Sequence, residues 1–212
     1  MLTSFHLHEQ PLDIVKFSYN GGMLAAASTK SGVFFFLKGE PGTQMYVHSY
    51  LETKRQAVDF LLYEEEDGTA KLLVLVVTCN ATIAGDIIIV YTRKSGENIF
   101  LEENYAVELL NAFKSLHYGP KNTRDVIGAP YLSRQLHRLE IQNDFKEVRL
   151  VQALPSGHQL RNPWVYTDRH HVVTAGFDGL VIVRDGINLE KVIALFAPHH
   201  RQEVTSSQTQ GY

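Results

Sequence analysis

Along most of this chain the apolar residues recur at every second position, the period of a half-buried strand, and seldom at the 3.6 of a helix. Leu12, Ile14 and Phe17 lead into Asn20-Gly21-Gly22, a cluster that reverses the chain because glycine enters positive φ without steric cost. Met23 to Ser28 reads as a small-residue strand, Lys30-Ser31-Gly32 as a turn, and Val33-Phe34-Phe35-Phe36-Leu37 as an apolar strand. Gly39-Glu40-Pro41-Gly42 breaks that run, and Met45 to Tyr50 forms the next strand. The rhythm continues at Ala57 to Tyr63, Lys71 to Thr78 and Ile87 to Thr92. Tyr131 to Ile141, Val148 to Leu154, Trp164 to Thr167, Val172 to Thr174, Val181 to Val183 and Val192 to Phe196 complete the predicted strands. Tyr105 to Ser115 fits either a helical turn or an outer strand. The acidic run Glu64-Glu65-Glu66-Asp67-Gly68 lies between two strands and predicts a solvated hairpin tip.

Short strands with turn signals at intervals of about 8–12 residues belong to a sandwich, a barrel or a propeller, and an internal repeat separates these. Strand-opening glycines mark one. Gly32, Gly85 and Gly179 each precede an apolar run, at intervals of 53 and 94 residues, the second about twice the first. A degenerate copy, Arg134-Gln135-Leu136-His137-Arg138-Leu139-Glu140-Ile141, falls inside the longer interval. The chain therefore divides into about four units, at roughly 1–53, 54–110, 111–156 and 157–201, followed by a polar tail over 202–212. Units of this length slightly exceed the ~40–45 residues of a WD-type propeller blade, as loop insertions would make them.

The fourth unit carries the clearest pattern. Gly157-His158 is followed after 25 residues by Arg184-Asp185, with Trp164-Val165-Tyr166, His171 to Gly179 and Leu180 to Val183 between. This resembles a WD repeat, in which Gly-His precedes the inner strand and Trp-Asp ends the third. The resemblance implies that His158, Thr174 and Asp178 tie the blade together by hydrogen bonding, that Asp185 occupies the Trp-Asp position, and that Arg184 stands where the Trp would be. The first unit fits with His8 in the histidine position, but with Ser31 in place of the turn Asp and Leu37-Lys38 in place of Trp-Asp. Val33-Phe34-Phe35-Phe36 before a tyrosine-bearing strand looks like the cilia- and flagella-associated WD-repeat proteins of the axoneme. So does Phe177 to Asp185 followed by Ala197-Pro198-His199-His200-Arg201. That resemblance spans most of 8–201 and is strongest over 8–50 and 157–201. It implies an all-β WD40-like β-propeller segment of about four blades, part of a larger propeller, that helps to hold dynein arms to doublet microtubules. The coiled coil of that family has no counterpart, since no heptad segment is present.

Composition narrows the chemistry further. The 212 residues carry 20 basic and 23 acidic side chains, a formal charge of −3, which gives no footprint for gripping nucleic acid. One cysteine, Cys79, excludes an internal disulfide and points to a reducing compartment. The apolar runs fall far short of the ~20 residues that span a bilayer. Met1 to His6 lacks the basic start and long apolar run of a secretory signal. The expected setting is cytoplasmic, at the cytoskeleton of a cilium or flagellum by the resemblance.

Ten histidines invite a metal reading. His6 and His8 would share a strand face, whereas the adjacent pairs His170-His171 and His199-His200 diverge, and no third ligand completes a tetrahedral set by local spacing. Ser156-Gly157-His158 lacks the Gly-x-Ser-x-Gly elbow of a serine hydrolase, and neither a Gly-x-Gly-x-x-Gly nor a phosphate loop occurs. Lys114, Lys121, Arg124, Arg134, Arg138 and Arg149 interleave with Tyr118 and Tyr131 and are expected on solvated blade edges, or on a basic face for acidic tubulin or a coiled coil. No catalytic residue, metal or cofactor is assigned. The expected role is a protein-interaction scaffold, with Tyr118, Tyr131, Arg161, Trp164 and Arg201 as surface anchors, although Trp164 equally fits the core of an innermost strand. Two other readings stay open: a generic cytoplasmic WD-repeat adaptor, and a propeller enzyme with a histidine-lined site.

Overall fold

Among the described residues sixteen strands follow one another in chain order, and each consecutive four pair as an antiparallel meander. Residues 11–39, 44–76, 85–161, 163–168 and 170–197 are described by the computed structural model; among them there is no helix. The first sheet holds β1 (Ile14–Phe17), β2 (Met23–Ser28), β3 (Val33–Lys38) and β4 (Tyr46–Glu52). The second holds β5 (Asp59–Glu64), β6 (Ala70–Val76), β7 (Ile87–Arg93) and β8 (Leu101–Glu108). The third holds β9 (Phe113–Tyr118), β10 (Asp125–Pro130), β11 (Gln135–Gln142) and β12 (Glu147–Pro155). The fourth holds β13 (Trp164–Thr167), β14 (His171–Ala175), β15 (Val181–Asp185) and β16 (Val192–Phe196). The first strands of successive sheets pack beside one another, β1 on β5, β5 on β9 and β9 on β13. Four radial sheets with their first strands toward a common axis are the blades of a β-propeller.

Strand periodicity explains the stacking. On β3, Phe34 and Phe36 face blade 2, where Phe36 stacks on Phe100 with ring centroids 4.3 Å apart and Phe34 meets Phe60 edge-on at 5.5 Å. On β6, Leu72 and Val74 join that same core, while Leu73 and Leu75 point the other way, into the core shared with blade 3. A blade sandwiched on both faces must be apolar at every position, hence the unbroken runs Leu72 to Val76 and Ile87 to Tyr91. A smaller core of Ile127, Ala129, Leu136, Leu154, Val165, Val172 and Leu189 joins blades 3 and 4. The two ends of the array differ. The outer face of blade 1 (Ala26, Val33, Phe35, Leu37) is buried, whereas that of blade 4 leaves Tyr166 and Phe196 exposed and Val173, Val181 and Val183 half-buried.

Three elements depart from the sequence expectation. Tyr105 to Ser115 is neither one turn nor one strand: β8 ends at Glu108 and β9 begins at Phe113. β8 lies at the outer edge, solvated along most of its length, so its sequence shows no apolar alternation. Tyr131 to Ile141 is not one strand either, because Tyr131 to Arg134 form the turn that opens β11, with Leu132 at φ 56°. β10 went unread because Gly128 and Pro130 interrupt it; Pro130 sits at a register shift, where the missing N–H is tolerated. Glu64 to Gly68 does form the hairpin tip between β5 and β6, with Gly68 at φ +84°.

Candidate interaction surface

Blade 4 shows how a propeller loop becomes rigid. His158, in the link entering β13, lies 3.0 Å from the Asp178 carboxylate through Nδ1 and 2.9 Å from the Thr174 hydroxyl through Nε2. An ionised carboxylate only accepts, so Nδ1 carries the proton and Nε2 accepts from Thr174. Asp178 also accepts from the backbone N–H of Gln159 (2.7 Å) and of Leu180 (3.2 Å). Burial alone would raise the Asp178 pKa, but these bonds together outweigh it and hold the carboxyl below its ordinary range. Gly176 is enclosed by this network: a Cβ there would fall 2.4 Å from His158 Nδ1. Asp185 is not part of it; it closes the next turn by accepting from the N–H groups of Ile187 and Asn188.

The Trp position is filled by a cation. Arg184 is buried and donates to the carbonyls of Leu189 (2.9 Å), Ser156 (3.1 Å) and Pro155 (3.3 Å), so it ties the β15–β16 hairpin to the end of blade 3. Blade 3 repeats the device: buried Arg138 lies beside Asp125 and donates to Ile187 (2.8 Å) and Gly186 in blade 4. Blade 2 does so again, with buried Arg93 donating to Glu97 and Gly68 carbonyls. Sequence reasoning missed these arginines as structural. Their signal was an arginine on the third strand of a blade, next to apolar runs in β7 and β15, where a long charged side chain must find carbonyls.

The same end of blades 3 and 4 is linked loop to loop. Tyr131 N–H donates to the Ala112 carbonyl, Ser156 N–H to that of Arg134, and the Arg134 guanidinium to that of Gln159. On this braced scaffold, six large apolar side chains face solvent: Leu110 (77% exposed), Tyr131 (55%), Leu132 (58%), Leu160 (50%), Trp164 (43%) and Phe177 (70%). The Trp164 and Phe177 rings lie 4.5 Å apart, and Lys114 Nζ sits 4.4 Å from the Trp164 centroid. Arg161 is exposed in the same link as Leu160. Trp164 thus belongs to an innermost strand and is surface-accessible together. Tyr118 is elsewhere and is not a free anchor: its hydroxyl accepts from Leu62 N–H and lies 2.7 Å from the Leu62 and 3.1 Å from the Phe17 carbonyl, tying three blades. Burial pushes that phenol far above its usual pKa. His8 and Arg201, with Cys79, His6, His199 and His200, lie outside the described residues.

Along the axis the inner strands are cross-braced. Lys16 Nζ on β1 reaches Asp59 on β5 (2.7 Å) and the Leu116 carbonyl on β9 (2.8 Å), and Leu116 N–H donates back to Asp59 (2.7 Å). His117 beside them is held neutral, burial driving its pKa down to about 3. Between blades 2 and 3, Phe145 at φ 66° inserts its ring against Tyr63 and under the Arg124 guanidinium, 3.8 Å away. Among the described residues the histidines do not converge: His117 pairs with Ser115, His137 with Gln135, His158 with Asp178 and His171 with Asp168. Among the described residues no group of three or more metal-ligating side chains forms.

Neither a protein-family model nor a curated protein matches the sequence. Solved structures match the fold. The β-propeller domain of Cps50 (Swd1) from Myceliophteria thermophila aligns with a TM-score of 0.52 and 15% identity, over 90% of this chain and 56% of that one. A functionally unknown protein from Desulfotomaculum acetoxidans DSM 771 aligns with a TM-score of 0.52 and 11% identity, over 90% and 71%. The chain thus spans little more than half the length of the first propeller it matches. Likeness at this identity shows a β-propeller fold.

Proposed function

We propose that this chain is a non-catalytic protein–protein interaction scaffold, working through the loop end of blades 3 and 4. The observation that carries the reading is the group of six exposed apolar side chains at this end, of which Leu160, Trp164 and Phe177 flank the His158–Asp178–Thr174 network. Among the described residues, histidines bonded to separate partners favour a scaffold over an enzyme with a histidine-lined centre. The outer face of blade 4 receives a further blade, supplied by the remainder of a longer propeller; its exposed Tyr166 and Phe196 support this. The setting we propose is the ciliary or flagellar axoneme, where the chain helps to tether dynein arms to doublet microtubules and so supports motility. The support for that setting is the likeness of Val33 to Phe36 and Phe177 to Asp185 to axonemal WD-repeat proteins. The test is affinity capture with the tagged chain from ciliated and non-ciliated extracts at low and moderate salt. Dynein-arm or tubulin-associated proteins recovered from the ciliated extract alone are the expected result. A folded chain that recovers partners equally from both extracts is instead a general cytoplasmic adaptor.

A further inference from the structure

The loop end of blades 3 and 4 has an electrostatic character that its apolar residues do not reveal. Lys114, Arg134 and Arg161 are exposed around Leu160, Trp164 and Phe177, and no carboxylate among the described residues lies within ion-pair distance of any of the three. Two carboxylates at this end are turned inward. Asp178 is bonded to His158, Gln159 and Leu180, and Asp86 is buried, accepting from Phe113 N–H. The exposed carboxylate Glu108 stands at the outer strand, away from the axis. Lys114 spends its charge on the face of Trp164, the arrangement of a cation with no anionic partner. An apolar cluster ringed by unpaired cations on rigid loops matches a ligand with the inverse pattern.

We propose that this end of blades 3 and 4 docks a polypeptide segment that carries apolar anchor side chains flanked by carboxylates. The proposal rests on the scaffold reading and specifies its partner. Phe177, Trp164 and Leu160 take the apolar anchors, while Arg161, Arg134 and Lys114 meet the flanking carboxylates. Because all three cations are solvent-exposed, the charge contribution is screened by salt and acts chiefly on association.

The test pans a phage-displayed library of random peptides, about 16 residues long, against the immobilised full chain, and measures a fluorescein-labelled selected peptide by anisotropy. The expected result is enrichment of Asp and Glu beside aromatic or aliphatic anchors. Affinity should fall about tenfold or more with Phe177→Ala and several-fold with Arg161→Glu, an exposed site. Raising salt from about 50 to 300 mM should weaken wild type more than Arg161→Glu. Selected peptides with no acidic enrichment, peptides that bind both variants like wild type, or no selection at all would overturn the proposal. So would binding to phosphatidylserine vesicles in place of any peptide. If extracts yield partners that both variants retain, the scaffold reading stands and this docking mode fails; if extracts yield none, the scaffold reading itself fails.

Discussion

Replacing Lys16 by methionine isolates the joint at which three blades meet. The Lys16 and Asp59 side chains are 16% and 2% exposed, and among the described residues the carboxylate has Lys16 Nζ and Leu116 N–H as donors. Burial pulls the Lys16 pKa below its ordinary value, with Asp59 partly restoring it, so the pair is held at the cost of desolvation. Lys16→Met strands a buried carboxylate, and breaking such a pair costs about 3–5 kcal/mol. Asp59→Leu strands the ammonium and the Leu116 N–H, with a cost of similar size. The double variant removes both charges and leaves the Leu116 N–H orphaned, about 1–3 kcal/mol, and the Leu116 carbonyl without its ammonium donor. The singles should therefore cost more than the double, a coupling of several kcal/mol rather than additivity. Urea unfolding, followed by far-UV circular dichroism and by the fluorescence of the single tryptophan in blade 4, reads this directly. Costs below about 1 kcal/mol for each single, or additive costs in the double, would refute an axial joint that couples blades 1 to 3.

Other consequences are as specific. Phe145→Ala should destabilise by about 3–5 kcal/mol, because it empties the slot between Tyr63 and Arg124; calorimetry showing a loss under 1 kcal/mol would contradict the inter-blade lock. Asp178→Ala removes three accepted bonds and should cost roughly 2–4 kcal/mol, whereas Asp185→Ala, whose carboxylate serves only its own turn, should cost about 1. His117 has a folded pKa of about 3 against 6.5 for the free group, so the unfolded state binds the extra proton between these values. Its contribution is present above about pH 6.5 and declines as pH falls, by about 1.4 kcal/mol per unit. Urea midpoints at pH 7, 5 and 4 should fall more steeply for wild type than for His117→Leu, and parallel lines would count against the assignment.

The parts legible in the sequence were those that obey a local rule. Gly32, Gly68 and Gly179 marked turns because each takes positive φ, and Val33 to Leu37 could only be a strand with two buried faces. The meeting of His158, Thr174 and Asp178 was accessible through a repeat pattern that fixes sequence spacing to blade geometry. What stayed hidden depends on neighbours in space. β8 has exposed polar residues because it is outermost, β10 survives Gly128 and Pro130 because β9 and β11 flank it, and Arg184 is buried because Leu189, Ser156 and Pro155 present carbonyls to it. Tyr118 shows the same limit. An aromatic at the end of a strand reads as a surface anchor until the strand beside it supplies the carbonyl of Leu62.

The most direct test of the scaffold account is proximity labelling by the tagged full chain in ciliated cells, comparing wild type with Tyr131→Ala/Phe177→Ala at matched abundance and matched circular dichroism. Both side chains are exposed, so the variant should keep the fold. The account predicts a defined set of axonemal neighbours for wild type and loss of most of that set in the variant. An unchanged set, or a folded wild-type chain with no specific neighbours, would contradict it.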